Sequence, residues 1–136
     1  MRTTTEILKE SKTIAVVGIS NKPERDSGRI ALFLKNKGYN VVGVHPFQKD
    51  FEGIKVYRNL KEIEFPIDIV DVFRNSASIP QLIPNVLDVK PKVLWLQLGI
   101  RNDEAVKPVL DAGIEVVQDK CIAMEYTFNI PSFSTE

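Results

Sequence analysis

Cations, hydroxyl groups and amide groups follow the first apolar run of the chain, and together they predict a phosphate-binding turn. The run 14–17 has the composition of a strand covered on both faces, and Gly18 allows a sharp turn where a side chain would block a ligand. The polar residues that follow are Ser20, Asn21, Lys22, Arg25 and Arg29. Beside a helix N-terminus such groups suit phosphate, because they supply donors and positive charge. Arg29 lies within the predicted helix and is expected to point away.

The same turn departs from the dinucleotide fingerprint Gly-x-Gly-x-x-Gly, because Ser20 stands where the second glycine belongs. Gly18 alone would equally fit a turn that only reverses the chain. The cations Lys22 and Arg25 favour the phosphate-binding interpretation, since charge-assisted hydrogen bonds to phosphate are strong.

The second apolar run ends at His45 and Pro46, and no acidic residue stands at its end. A site for NAD normally places Asp or Glu there, about 20 residues beyond the glycines, to hold the ribose hydroxyls. His45 could instead stack or hydrogen-bond, and Lys49 could meet a phosphate. This strand end therefore favours a nucleotide with an additional phosphate over a bare ribose diol. A purely structural role for His45 is the alternative.

The remaining strand ends carry further candidate contacts. Phe73 could contact a ligand or simply complete a core strand, and Arg74 could contact a ligand or form a surface ion pair. Strand-end position and charge favour ligand contact. The next two ends carry Gln97, Leu98, Gly99 and Cys121. Trp95 has apolar neighbours on both sides and is predicted to lie in the core.

Alternating apolar runs and helical stretches must position these residues, and they predict an α/β fold. The predicted strands are 13–18, 40–44, 67–73, 93–98 and 115–118. The predicted helices are 28–37, 78–89 and 104–112, and Pro84 should kink the second of them. An amphipathic turn is predicted at 4–10, and a linking segment with a short strand at 55–63. This pattern is typical of a Rossmann-like, doubly wound, mainly parallel sheet in a three-layer sandwich. Ligands bind such sheets beyond the carboxyl ends of the strands.

Composition limits the function classes. The 136 residues, 43% of them hydrophobic, predict a single domain over 1–136, with a polar tail from about 129 to 136. Eighteen basic and eighteen acidic residues balance, which argues against nucleic acid as the main partner. With one cysteine and one histidine, neither an internal disulfide nor a metal site is predicted. No signal segment or membrane-length apolar run is visible, so the chain is expected to be cytoplasmic and free of membrane contact.

Five ordered blocks of sequence resemble the small stand-alone CoA-binding proteins. The blocks are 16–23, 38–46, 68–74, 93–105 and 112–121, and the resemblance extends from about Thr5 to Tyr126. These proteins are similar to the N-terminal CoA-binding domain of the alpha subunit of succinyl-CoA synthetase. The family usually has Asn before the proline at the second strand end, whereas this chain has His45.

The resemblance implies a Rossmann-like fold that holds coenzyme A across the strand ends. It places the phosphates along the first turn, the adenosine near the second strand end, and the pantetheine arm near the fourth. The residues implied in this way, with Arg25 added on grounds of charge, are Gly18, Ile19, Ser20, Asn21, Lys22, His45, Pro46, Phe73, Arg74, Gln97, Leu98 and Gly99. The pyrophosphate and ribose 3'-phosphate of coenzyme A also account for the cations and for the missing ribose-binding acid.

Cys121 follows the last predicted strand and should lie on the ligand side. A helical turn over 121–126 and the neighbouring Lys120 would favour its thiolate form. A thiolate that faces the thiol end of coenzyme A could form a mixed disulfide by thiol exchange. The alternative is an inert, buried cysteine.

The predicted function is binding of coenzyme A or an acyl-CoA by a carrier, sensor or thiol-protecting module. No catalytic activity of its own is predicted, because there is no evident catalytic dyad and neither Asp68 nor Asp71 has a partner in the sequence pattern. One alternative is the CoA-binding subunit of a multi-chain acyl-CoA synthetase. Another is an NAD(P)-binding oxidoreductase or redox sensor, against which the missing acid argues. A homo-oligomer or a synthetase-type partner chain is left open.

Overall fold

Six parallel strands form one sheet in the computed structural model, which describes residues 1–131. The sheet has the order β3-β2-β1-β4-β5-β6. The strands are β1 (Thr13–Val17), β2 (Asn40–Val44), β3 (Val56–Tyr57), β4 (Ile69–Val72), β5 (Val93–Leu96) and β6 (Glu115–Val117). The helices are α1 (Thr4–Glu10), α2 (Asp26–Asn36), α3 (Ile79–Val89), α4 (Lys107–Asp111) and α5 (Ile122–Asn129), with 3₁₀ turns at Leu60–Glu62 and Ser76–Ser78. The predicted Rossmann-like α/β fold is confirmed.

The helices cover both faces of the sheet, which explains why the strands are mostly apolar. Helices α1, α2 and α5 pack on one face through residues such as Leu8, Leu34 and Ile122. Helices α3 and α4 pack on the other face through residues such as Val86 and Val109. Every residue of β4 and β5 is buried, as expected for central strands of a parallel sheet. The chain is therefore a three-layer sandwich, as predicted.

Most element boundaries agree with the sequence pattern, and β3 corresponds to the short strand predicted within 55–63. The prediction for α4 was too long, since the helix begins at Lys107 rather than near residue 104. Pro108 lacks the N–H that would bond the carbonyl of Glu104, so the preceding residues form turns instead. Helix α3 runs through Pro84 as one element. No helix among residues 1–131 is long and apolar enough to cross a membrane.

The predicted polar tail begins where α5 ends, at Asn129, and its residues 132–136 lie outside the described part of the chain. The assignment of the whole chain to one domain stays a prediction.

The strand order places a crevice beyond the ends of β1 and β4. The chain winds from β1 outward to β2 and β3, and then crosses to β4 on the other side of β1. Connections that leave β1 and β4 therefore diverge, which opens space above the sheet at this switch point. The loops that follow β1, β2 and β4 border this space.

Candidate functional site

A cavity of about 830 Å³ lies at the carboxyl ends of β1, β2 and β4. It coincides with the switch point, where a sheet of this topology binds its ligands. Predicted residues that line it are Gly18, Ser20, Lys22, Arg25, His45, Pro46, Phe73 and Arg74. Lining residues that were not predicted are Glu24, Asp26, Ser27, Phe47 and Gln48. Three separate predicted segments thus come together around one cavity.

Two glycines allow the turn after β1 to lie close to its neighbours. Gly18 has a φ of +83°, and a Cβ atom there would lie 2.6 Å from the carbonyl oxygen of Phe73. A Cβ atom at Gly28 would overlap the carbonyl oxygen of Ser20. The turn therefore packs directly against the end of β4 and the start of α2.

Side chains accept hydrogen bonds from the backbone N–H groups of this turn. Ser20 donates to the hydroxyl of the buried Ser27 (2.9 Å), and Lys22 donates to the hydroxyl of Ser20 (3.2 Å). Asn21 donates to Oε1 of Gln48 (3.2 Å), which connects the turn to the loop after β2. The turn is thus held in a defined shape by its own contacts.

The N-terminus of α2 is better suited to bind an anion than the backbone of the turn. Its N-cap residue Arg25 makes no side-chain capping hydrogen bond, and Asp26 and Ser27 of the first turn line the cavity. The first N–H groups of a helix have no intrahelical partner and lie at the positive end of the helix dipole. A phosphate in the cavity would meet these groups together with the turn's side chains.

Three cations border the cavity without a protein counter-charge. Among residues 1–131, Lys22, Arg25 and Arg74 take part in no ion pair. Arg29, by contrast, pairs with Asp26 and donates to the carbonyls of Pro23 (2.7 Å) and Arg25 (3.1 Å). Arg29 is absent from the cavity lining and holds the loop before α2. The free cations give the cavity the charge that a phosphorylated ligand requires.

His45 fixes the loop after β2 through its ring. Its Nδ1 accepts the backbone N–H groups of Phe47 (3.0 Å) and Gln48 (2.9 Å). An accepting Nδ1 carries no proton, so the neutral ring has its hydrogen on Nε2. Burial lowers the pKa of His45, and the nearby charges of Arg74 and Lys22 lower it further. An asparagine here could accept the same bonds through its side-chain oxygen, as in an Asx turn.

A family model described as a CoA binding domain matches residues 12–127. The chain belongs to this CoA binding domain family. The matched region contains all three loops that form the cavity and all six strands. The resemblance inferred from the five sequence blocks is therefore confirmed.

Known proteins of similar sequence or fold match most of this chain. The protein YneT of Bacillus subtilis (strain 168) is 39% identical over 121 residues, which span 89% of this chain and 90% of YneT. A solved structure from Thermus thermophilus has a TM-score of 0.89 and 35% identity, covering 95% of this chain and all of that one (100%). A dinucleotide-forming acetyl-coenzyme A synthetase of Ca. Korarchaeum cryptofilum, in complex with phosphate and ADP, has a TM-score of 0.70 and 20% identity. That similarity shows the fold alone, and it spans 85% of this chain but only 27% of the synthetase chain.

The remaining predicted contacts of the CoA binding domain lie outside the cavity lining. Gln97 is buried, and its Oε1 accepts the N–H of Ile122 (3.0 Å) at the start of α5. Gly99 donates its N–H to Asp119 (2.6 Å), whereas Leu98 is 64% exposed. These residues form the rim beyond β5.

Three more predicted residues have other surroundings. The side chain of Ile19 is fully buried, and a Cβ atom at Gly43 would lie 2.6 Å from it. Asn21 is exposed beside the turn and contributes its N–H to Gln48. Cys121 is half-buried at the N-cap of α5 and makes no side-chain capping bond. The side chain of Ile19 therefore supports the turn from below.

Neither aspartate flanking the third apolar run lines the cavity. Asp68 accepts the N–H groups of Lys12 (2.7 Å) and Thr13 (3.0 Å), which ties the start of β1 to the segment before β4. Asp71 is fully buried, and neither of its carboxyl oxygens has a hydrogen-bond partner within the described residues. Burial raises the pKa of Asp71 well above its ordinary value of 3.8. Trp95 is completely buried, as predicted.

Sequence reasoning missed Phe47, Gln48 and Ser27. Phe47 could have been predicted from the sequence, because a large aromatic residue directly follows the strand-end pair His45 and Pro46. Gln48 acts through a hydrogen bond between two loops that are distant in sequence, and Ser27 accepts the N–H of Ser20 within the same connection, so neither residue is marked by hydrophobic periodicity.

Proposed function

We propose that this chain binds coenzyme A or an acyl-CoA in the cavity above β1, β2 and β4. The observation that carries the proposal is the set of unpaired cations around a helix N-terminus without a side-chain cap. Lys22, Arg25 and Arg74 would contact phosphate groups there, since charge-assisted bonds to phosphate are strong. Membership of the CoA binding domain family supports the same ligand.

Coenzyme A fits the cavity better than NAD does. The end of β2 presents His45 and Pro46, so no carboxylate stands where a ribose diol would be held. Of the acids that line the cavity, Glu24 comes from the loop after β1 and Asp26 from the start of α2, where it is paired with Arg29. Coenzyme A has a pyrophosphate and a 3'-phosphate, which use several cations.

The pantetheine arm would extend from the cavity toward β5 and β6. Strands β4 and β5 are paired in register, so the segment after Val72 lies beside the segment after Leu96. Gln97 then contacts the start of α5, immediately after Cys121. These neighbouring segments support a course of the arm along the rim of the sheet, in which the thiol end of the ligand would approach Cys121.

This arrangement supports a carrier, sensor or thiol-protecting role with a mixed disulfide at Cys121. In that step the Cys121 thiolate attacks the CoA sulfur of a CoA-containing disulfide. A Cys121–CoA disulfide forms, the original disulfide breaks, and the second thiol leaves as thiolate and takes up a proton. One disulfide replaces another, so no further oxidant is required.

A second candidate is the CoA-binding subunit of an acyl-CoA synthetase. It is favoured by the fold similarity to the Korarchaeum acetyl-coenzyme A synthetase, of which this chain spans 27%. In that case a partner chain would supply the catalytic residues. Copurification of a stable partner and synthetase activity in the mixture would support this candidate.

Native mass spectrometry of freshly purified protein tests the ligand. We expect a retained mass of coenzyme A, and titration calorimetry should show binding of coenzyme A but not of NAD. Binding of NAD without binding of coenzyme A would refute the proposal.

The disulfide is tested separately. Incubation with CoA disulfide should add the mass of one CoA moiety in a form that dithiothreitol removes. The Cys121→Ser variant should bind coenzyme A but gain no reducible adduct. Absence of an adduct on the native protein would refute the exchange step while leaving ligand binding intact.

A further inference from the structure

Phe47 presents an unusually exposed aromatic ring to the cavity. The residue is 88% exposed, and it lines the cavity directly after the end of β2. An exposed phenyl ring on a cavity that also holds cations gives a flat apolar surface beside a charged one. That combination matches a ligand with an aromatic base and phosphate groups.

The loop that carries Phe47 is held in place before any ligand arrives. The N–H of Phe47 bonds Nδ1 of His45, and the two rings meet edge to face with centroids 6.3 Å apart. The next residue, Gln48, also donates its N–H to His45. Its side chain accepts a hydrogen bond from the N–H of Asn21 in the turn after β1. The position of the Phe47 backbone is therefore coupled to the opposite wall of the cavity. Preorganisation of this kind reduces the entropy lost on binding.

The charges and the ring line the same cavity. Lys22, Arg74 and His45 all line the cavity with Phe47, and the charges of Arg74 and Lys22 lower the pKa of His45. A ribose phosphate close to Lys22 and Arg74 would bring its attached base toward the Phe47 ring. The cavity volume of about 830 Å³ is sufficient for a nucleoside bisphosphate.

We propose that the Phe47 ring is the surface on which the adenine base of the bound ligand stacks. The inference rests on the proposed function and adds a contact that distinguishes the adenosine end of the ligand from its arm. Stacking of a base on an aromatic side chain contributes about 1–3 kcal/mol by alanine substitution, which corresponds to roughly 5- to 150-fold in affinity.

Fragments of the ligand separate this contact from the others. Adenosine 3',5'-bisphosphate contains the base and phosphates but no arm, and 4'-phosphopantetheine contains the arm and a phosphate but no base. Phe47→Ala should weaken binding of coenzyme A and of the bisphosphate by the same factor, roughly 5- to 150-fold. It should leave binding of 4'-phosphopantetheine unchanged. Calorimetry with all three ligands measures these factors.

A tryptophan at the same position gives a direct optical signal. Phe47→Trp should retain affinity, and its exposed indole should be quenched when the bisphosphate binds. Trp95 is completely buried and provides a constant background. The matched control is Phe128→Ala on α5, which removes another exposed ring (75%) outside the cavity lining and should change no affinity.

Three results would overturn the inference. Wild-type affinity of Phe47→Ala for coenzyme A would show that the ring makes no contact. An equal loss for 4'-phosphopantetheine would place the ring on the arm. A change in mass in solution for Phe47→Ala, without a change in affinity, would make the ring part of a protein interface. Failure of the wild-type protein to bind any of the three ligands refutes the proposed function itself, which is a separate outcome.

Discussion

A histidine beside a phosphate site would ordinarily be expected to gain a proton, but the hydrogen bonds of His45 oppose this. Protonation at Nδ1 would break its bonds from Phe47 and Gln48. Its pKa lies below the ordinary value of 6.5, so the folded state favours the neutral ring. The unfolded state then takes up the proton first as the pH falls. The stability that the neutral ring contributes is complete above pH 6.5 and is lost as the pH falls through the lowered pKa.

We therefore expect the free energy of unfolding to fall more between pH 7.5 and pH 5.5 in the wild-type protein than in His45→Asn. Asparagine keeps an acceptor for the two N–H groups but does not titrate. His45→Ala should lose stability at pH 7.5, because the two donors lose their acceptor, and the loss relative to wild type should be smaller at pH 5.5. Urea denaturation at the two pH values measures this. Equal pH dependence in wild type and His45→Asn would contradict the argument.

Within β4, Asp71 is a carboxyl group without a partner. Its neighbours in the paired strands, Val16 and Trp95, are apolar or already bonded elsewhere. The folded state raises its pKa, so it keeps a proton that the unfolded state has lost. The associated stability is complete below pH 3.8 and is lost as the pH rises through the raised pKa. We therefore expect Asp71 in β4 to lower the stability of the sheet at alkaline pH.

Asp71→Asn removes this titration while keeping a similar shape. We expect the melting temperature of the variant to exceed that of the wild type by a margin that grows from pH 5 to pH 9. Differential scanning calorimetry across that range measures the margin. A constant difference would mean that Asp71 has a charged partner in the folded protein.

At the start of α2, the close contact between Gly28 and Ser20 shapes the phosphate turn. Gly28→Ala should push the turn away, lower stability by about 1–3 kcal/mol, and weaken binding of coenzyme A. Ala31→Gly in the same helix is the control, because it lowers helix propensity by about 1 kcal/mol without touching the turn. Thermal melts and calorimetry measure both effects. Equal loss of affinity in the two variants would show that the contact has no specific role.

The elements could be predicted largely because hydrophobic periodicity is local. The alternation of apolar runs and helices gave the order of elements, and Gly18 with the cations marked the turn. The start of α4 was wrong because one missing N–H, at Pro108, outweighed the periodicity. Phe47 was visible but was not selected, whereas Gln48 depends on a contact with a distant loop and Ser27 on a hydrogen bond to Ser20 within its own connection. Gln97 stays a predicted ligand contact, and the bond that its Oε1 accepts from Ile122 could not be predicted from a local pattern.

For the whole molecule, one sheet brings together loops that are far apart in the sequence. The cavity receives residues from the loops after β1, β2 and β4, so ligand binding depends on correct pairing of all three strands. A ligand that bridges the three loops stabilises the folded state by an amount that grows with the logarithm of its concentration above the dissociation constant. Coenzyme A at 100 times its dissociation constant should add about 2.7 kcal/mol to the free energy of unfolding.

In the proposed complex, the cations would divide this stabilisation between the phosphates of the ligand. Coenzyme A should raise the melting temperature more than 3'-dephospho-CoA at equal concentration, because the latter lacks one dianionic group. Lys22→Ala and Arg74→Ala, which remove charges close to His45, should reduce that difference. Lys9→Ala, an exposed cation on α1, should leave it unchanged, since solvated surface charges contribute little. Equal melting shifts for the two ligands in the wild-type protein would show that the 3'-phosphate lies outside the cluster of cations, and would require a different orientation of the nucleotide in the cavity.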